Sequence, residues 1–179
     1  STQSRSSAAS DVYKRQAEQL IPHARSGFDD EPDLGCLEEF DQIIRLQGLR
    51  SALLYLNALV PHRFTALYRL DGPTFVCRAA VDAEQEEMTV DLTEVPVADS
   101  YCQFVVRDGV YWTQDSLIDP MLAGHKHREL VRGYIGTRVG HPGQSAQGSL
   151  CHIDFSPWSV NVDQVVFFEH AAMRLRPFL

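Results

Sequence analysis

Apolar residues recur at three- and four-residue steps from about Asp33 to Val60: Leu37, Phe40 and Ile44, then Leu49, Ala52, Leu53, Leu56 and Leu59. That period predicts a long α-helix, which Gly48 can divide in two. Pro61 ends it, because the residue before a proline avoids helical backbone. Ile43, Leu46 and Leu54 fall partly outside the main stripe and point to a second contact, such as another subunit. The pattern then becomes extended. Phe64–Leu70 and Thr74–Ala80 flank Asp71-Gly72-Pro73 and read as a β-hairpin. Asp82–Glu87 is acidic and reads as a solvated loop, and Thr89–Val97 holds a short strand that ends at Pro96.

Ser100-Tyr101-Cys102-Gln103 fits a capping box that opens a helix running to about Arg107. Val110–Thr113 reads as a short strand, Asp115–Pro120 as a turn and Met121–Val131 as a helix interrupted by Gly124. Gly133–Val139 and Gly148–Phe155 form a second hairpin around Gly140–Gln147. Asn161–Arg176 is the last helix, with Val162, Val165, Val166, Ala172, Met173 and Leu175 on its apolar side. Two hairpins between helices at both ends predict an α+β domain, an antiparallel sheet with the terminal helices on one face. Residues 1–32 read as a leader or linker, with an irregular helix near Val12–Leu20, and residues 33–179 as one domain.

Composition narrows the class. The chain has 179 residues, 44% hydrophobic and 22% charged, enough for a packed core. No apolar run approaches the ~18 residues that a spanning helix needs. A net charge of −8 argues against a nucleic-acid partner and for a small molecule or a protein. Cys36, Cys77, Cys102 and Cys151 stand 41, 25 and 49 residues apart, so they form no zinc-like pair and read as reduced cytosolic thiols. His125 and His127 do not share a helical face, and His62, His141, His152 and His170 are scattered, so no metal site is expected. Asp71, Asp108 and Asp115 read as turn residues. The glycines at 133, 136 and 140 lack the strand-to-helix context of a dinucleotide loop.

Several motifs in order carry a resemblance. They are Ser100-Tyr101-Cys102 opening a helix, Tyr111-Trp112, Asp115-Ser116, Gly133-Tyr134-Ile135-Gly136-Thr137, Gly148-Ser149-Leu150-Cys151-His152-Ile153-Asp154, and the helix from Asn161. From Gly35 onward the chain resembles a GAF domain. The resemblance implies an antiparallel sheet of about six strands, with N- and C-terminal helices on one face and short helices and loops on the other. It also implies a small-molecule pocket opposite the terminal helices and a non-enzymatic regulatory role. The domain is then a homodimer through those helices, with an effector domain or protein as a further partner. The ligand and any cofactor are left unnamed.

The Asn-Lys-Phe-Asp-Glu signature of cyclic-nucleotide-binding members is absent, and Cys151-His152 lies on a strand rather than in a bilin-attachment loop. One branch of the fold reduces free methionine sulfoxide through cysteines, which makes a thiol-dependent enzyme the alternative reading. Tyr111-Trp112-Thr113-Gln114 supplies no such cysteine. A scaffold with a filled pocket is a further alternative. The ligand-binding set that the resemblance implies is Tyr101, Cys102, Trp112, Tyr134, Arg138, Cys151 and His152, with no catalytic residue. Strand alternation puts Tyr134 and Arg138 on the face opposite Ile135, Thr137 and Val139. It leaves open which of Leu150/His152/Asp154 and Ser149/Cys151/Ile153 lines the cavity. The plainer alternative, aromatics in the core and Arg138 in solvent, also stands.

Overall fold

The computed structural model describes residues 36–87, 92–141 and 143–179. The leader, the helix near Val12–Leu20 and the start of the strand expected from Thr89 lie outside the described residues. Two helices come first, α1 (Leu37–Gln47) and α2 (Leu49–Ala58). They part at Gly48, whose φ of 85° lies in the left-handed region that glycine favours. Its N–H closes α1 by bonding to the carbonyls of Ile43 and Ile44 at 3.2 and 3.1 Å.

Strands β1 (Phe64–Asp71), β2 (Thr74–Asp82), β3 (Glu94–Pro96), β4 (Val110–Thr113), β5 (Gly133–Val139) and β6 (Gly148–Asp154) form one six-stranded sheet in the order β3-β2-β1-β6-β5-β4. Every paired strand runs antiparallel to its neighbour. Between β3 and β4 lies α3 (Cys102–Asp108), and α4 (Val162–Arg174) follows β6. The α+β expectation holds, including the terminal helices on one face.

That helix face buries Phe40, Leu53, Leu56, Leu67, Ile135, Leu150 and Phe168. The opposite face buries Ala66, Phe75, Tyr101, Val105, Leu122, Tyr134 and Cys151 beneath α3 and the loops. β5 serves both: Ile135 and Val139 pack under the helices while Tyr134 points the other way.

Four expectations change. Met121–Val131 is no α-helix. It is a 3₁₀ turn over Pro120–Leu122 followed by tight turns, with Gly124 at a φ of 78°. Its start is set by Asp119, whose carboxylate accepts the Met121 N–H at 2.9 Å. Ile43 is in the core and Leu54 packs against it, so of the three off-stripe residues it is Leu46 that stays exposed. On α4 the buried side is Val165, Phe168, Ala171 and Ala172, whereas Val162, Val166 and Met173 face outward. Asp82, assigned to a solvated loop, is buried at the end of β2, where the Arg63 guanidinium pairs with it at 2.9 and 2.8 Å.

Candidate binding face around Tyr134

Cross-strand partners point to the same side of a sheet. Gly136 pairs with Tyr111 on β4 and with Cys151 on β6. Arg138 pairs with Ser149, and Ser149 and Cys151 pair with Tyr68 and Ala66 on β1. Tyr111, Tyr134, Gly136, Arg138, Ser149 and Cys151 therefore share the face away from the terminal helices.

α3 covers this face. Ser100 is extended, at φ −106° and ψ 145°, and Tyr101 is already helical at φ −64° and ψ −20°. Ser100 Oγ accepts the Cys102 N–H at 3.0 Å, so Ser100 is the working cap. The Gln103 side chain returns to the Ser100 carbonyl at 3.0 Å, not to its N–H, so the capping box is half made. This start aims Tyr101 and Cys102 at the sheet.

The result is a closed cluster of rings. Tyr101 meets Tyr134 edge-on, with centroids 5.4 Å apart, and meets His125 at 4.7 Å. Tyr111 lies 6.0 Å from Tyr134 and 4.8 Å from Phe104. Each phenol is tied down: Tyr101 donates to the Val131 carbonyl at 2.9 Å, and Tyr111 to Asp119 at 2.8 Å. Burial pushes the Tyr101 phenol up to about 12. Segment 114–132 lies across the cluster and is itself pinned, Arg132 pairing with Asp115 at 2.9 and 2.8 Å.

Tyr134 lies back along β5 over Gly136, in the space that a Cβ there would fill. Its hydroxyl is 3.0 Å from Cys102 Sγ, and Ser149 Oγ donates to that sulfur at 3.3 Å. Cys151 Sγ donates to the Ala66 carbonyl at 3.7 Å. The hydrogen bond from Cys151, with further bonds from Ser100, Ser149 and Tyr134, holds the Cys102 thiol well below its usual range despite burial. Cys151 is pushed up by the same bond and by burial.

Tyr101, Cys102, Tyr134 and Cys151 thus come together as expected, and Arg138 shares their face. Trp112 and His152 do not. Trp112 pairs with Ile135 on the helix side of the sheet and is 39% exposed at the edge, so Tyr111 takes the place expected of it. His152 also faces the helices and stacks on Phe168 of α4, centroids 4.0 Å apart. Its Nδ1 is 2.7 Å from Thr65 Oγ1, and it lines a shallow recess with Leu56, Leu59, Gln164 and Phe167. His125, expected on an exposed helix, belongs to the ring cluster. Phe104 had no sequence signal beyond its element, whereas Ser149 stood in one of the two β6 sets left open for the cavity. Among the described residues, no three His, Cys, Asp or Glu side chains gather as a metal site.

No family model and no curated protein matches the chain. Solved structures do. The GAF domain of an Acinetobacter phosphoenolpyruvate-protein phosphotransferase aligns at a TM-score of 0.58 and 14% identity, over 93% of this chain and 90% of its own.

The chain has the GAF fold.

Other structures with this fold carry different activities. Free methionine-R-sulfoxide reductase from Neisseria meningitidis aligns at a TM-score of 0.63 and 14% identity, over 87% of this chain and 95% of its own. The chromophore-binding domain of Stigmatella aurantiaca phytochrome P1 aligns at 0.63 and 12% identity, over 86% of this chain and 63% of its own. Identities this low establish a shared GAF architecture and leave its use to the residues of this chain.

Proposed function

We propose that this GAF domain is a non-enzymatic sensor that binds a small molecule between α3, β4, β5 and segment 114–132. The observation that carries the reading is the ring cluster. Tyr101, Tyr111, Tyr134 and His125 converge there with polar tips, the composition of a small-ligand site. A flat ligand with polar edges would take over the hydrogen bonds that Val131 and Asp119 now make to Tyr101 and Tyr111. Arg138, half-buried on the same face, would supply a cationic fork to an acidic ligand.

The relay follows from β5. A ligand that moves Tyr134 moves the strand whose other face carries Ile135 and Val139 beneath the terminal helices. From there the Arg174–Asp41 ion pair, 2.8 Å long, joins α4 to α1. The outward apolar residues of α4, Val162, Val166 and Met173, form the homodimer contact in this reading. An effector reads the helix positions. The domain works in the cytoplasm, where its four thiols stay free. Among the described residues no helix is long and apolar enough to cross a membrane.

Two observations weigh on the alternatives. Cys102 and Cys151 are 2% and 0% exposed, which counts against a thiol enzyme, since neither sulfur is presented to a substrate. The Tyr134 phenol over Gly136 favours the filled-pocket scaffold. Native mass spectrometry beside the denatured mass decides between sensor and scaffold. A non-covalent adduct that disappears on denaturation, and that a Tyr111→Ala, Tyr101→Phe variant fails to retain, supports the sensor. A protein recovered empty from cell extract, with no melting shift across a metabolite panel, sinks it and leaves the scaffold.

A further inference from the structure

The two edges of the sheet are finished differently. β3, at one end of the strand order, is three residues long and carries Glu94 and Pro96, a charge and a proline that hinder the addition of another strand. β4, at the other end, reads Val110-Tyr111-Trp112-Thr113 and has neither. The Gly109 carbonyl accepts the Arg138 N–H at 2.8 Å, one step ahead of the Val110–Thr137 pair. Hydrogen-bonded pairs alternate along an antiparallel ladder, so Tyr111 and Thr113 bond to β5 while Val110, Trp112 and Gln114 turn their backbone groups outward. The Gln114 carbonyl accepts the Trp158 N–H there at 3.0 Å. The outward N–H and C=O groups of Val110 and Trp112 have no partner among the described residues.

The side chains mark the same edge. The chain has two tryptophans, Trp112 and Trp158, and both are exposed here. Tryptophan is enriched where protein surfaces meet. Leu117 and Ile118 are exposed as well, in the loop that Asp119 ties back to the Tyr111 hydroxyl. From Val110 to Gln114 there is no charged residue, in a chain of net charge −8. Two copies can meet on this stretch without setting like charges against each other.

We propose that the β4 edge pairs with the β4 edge of a second copy, antiparallel, about a two-fold axis at Tyr111. A contact of this symmetry needs a self-complementary surface. The register supplies it. Val110 of each copy stands opposite Trp112 of the other, and each such pair exchanges both of its backbone hydrogen bonds. Val110 and Trp112 lie on the helix side of the sheet, so each tryptophan ring packs on the other copy's valine, a favourable cross-strand pair. The ends match too. The Arg107–Asp108 ion pair ahead of one edge comes beside the Asp115–Arg132 ion pair beyond the other. Two six-stranded sheets become one continuous sheet. The edge is short, so the contact is a weak one that forms as the concentration rises, on a surface separate from the outer side of α4.

Both tryptophans stand at the contact, so their fluorescence reads it directly. In the full chain, emission should move to shorter wavelength as the protein is concentrated and return on dilution. The Val166→Asp, Met173→Asp variant should show the same shift, which separates this edge from the α4 contact. Trp112→Lys should abolish the shift of the remaining tryptophan and leave the melting temperature unchanged. The register is read by cross-linking in a Cys36→Ser, Cys77→Ser background. Hydrogen-bonded antiparallel partners have Cα atoms about 5.5 Å apart, within reach of a disulfide. A Val110→Cys protein mixed with a Trp112→Cys protein should form a covalent dimer on mild oxidation. Neither protein should do so alone, because like positions are offset along the strands. Emission that does not depend on concentration overturns the proposal, as does loss of the shift in the Val166→Asp, Met173→Asp variant. So does a single variant that links to itself as readily as to the other. Emission that moves only when a different protein is added gives the edge to that partner and overturns the pairing of copies. None of these outcomes touches the ligand reading.

Discussion

His62 shows how one buried side chain sets a property of the whole fold. It is 1% exposed, both of its ring nitrogens lack a hydrogen-bond partner, and its ring stacks 5.9 Å from His152. Burial pushes its pKa down to about 4, against 6.5 in the unfolded chain. Between those two values the unfolded chain takes up a proton and the folded chain does not. Stability is therefore complete above pH 6.5, falls as the pH drops from 6.5 towards 4, and levels off below. The drop from His62 alone is about 3 kcal/mol. His152 is shifted down too, by burial and then by His62, and adds to the slope. Urea denaturation at pH 7 and pH 4.5 should show the loss, and His62→Gln should reduce it; an unchanged difference would remove His62 as the cause. Gly136 makes a second case at this scale. A Cβ there collides with the Tyr134 phenol, which is buried and hemmed in by other rings. Gly136→Ala should cost about 1–3 kcal/mol. In a Tyr134→Leu background the same change should cost clearly less, and equal costs in both would break the link.

At the scale of elements, most boundaries follow from local chemistry. Asn161 is extended, and its side chain accepts the Asp163 N–H at 2.8 Å, so α4 starts where an N-cap stands. Asn161→Ala should lower the stability by about 1 kcal/mol, and Asn161→Asp should leave it near wild type, both read from thermal unfolding. The second hairpin was legible almost to the residue, because alternation and flanking glycines agree there. Met121–Val131 was not legible. Its apolar spacing imitates a helix, but Pro120, the Asp119 cap and Gly124 break it into turns that wrap the ring cluster. Tyr111 and Trp112 show the same limit. Sequence puts two aromatics on β4, and the pairing of Tyr111 with Gly136 and of Trp112 with Ile135 determines which one turns inward.

For the whole molecule, the question is what the outer side of α4 meets. Val162, Val166 and Met173 are 60%, 46% and 45% exposed, and they recur at helical spacing on a surface where polar residues are the rule. The dimer reading predicts that Val166→Asp with Met173→Asp lowers the sedimentation coefficient to that of a monomer and leaves the melting temperature of the dilute protein unchanged. A double variant that sediments as wild type would remove α4 from the interface. A variant that melts early would instead mean that these side chains pack within the chain.

Local sequence determined the elements and the class. Helical and two-residue periods, a capping serine, an N-cap asparagine and turn glycines act over a few residues, and such signals survive without knowledge of the fold. They sufficed for an α+β sheet with its terminal helices on one face, and for placing Tyr134 opposite Ile135. Which face of β6 carries the site was decided only by packing. Leu150 and His152 turned to the helices, Ser149 and Cys151 turned to Tyr134, and Cys102 came to lie 3.3 Å from the Ser149 hydroxyl, far along the chain. A strand's period of two leaves its faces equivalent until another layer covers one of them, and contacts between distant residues exist only once both layers are in place.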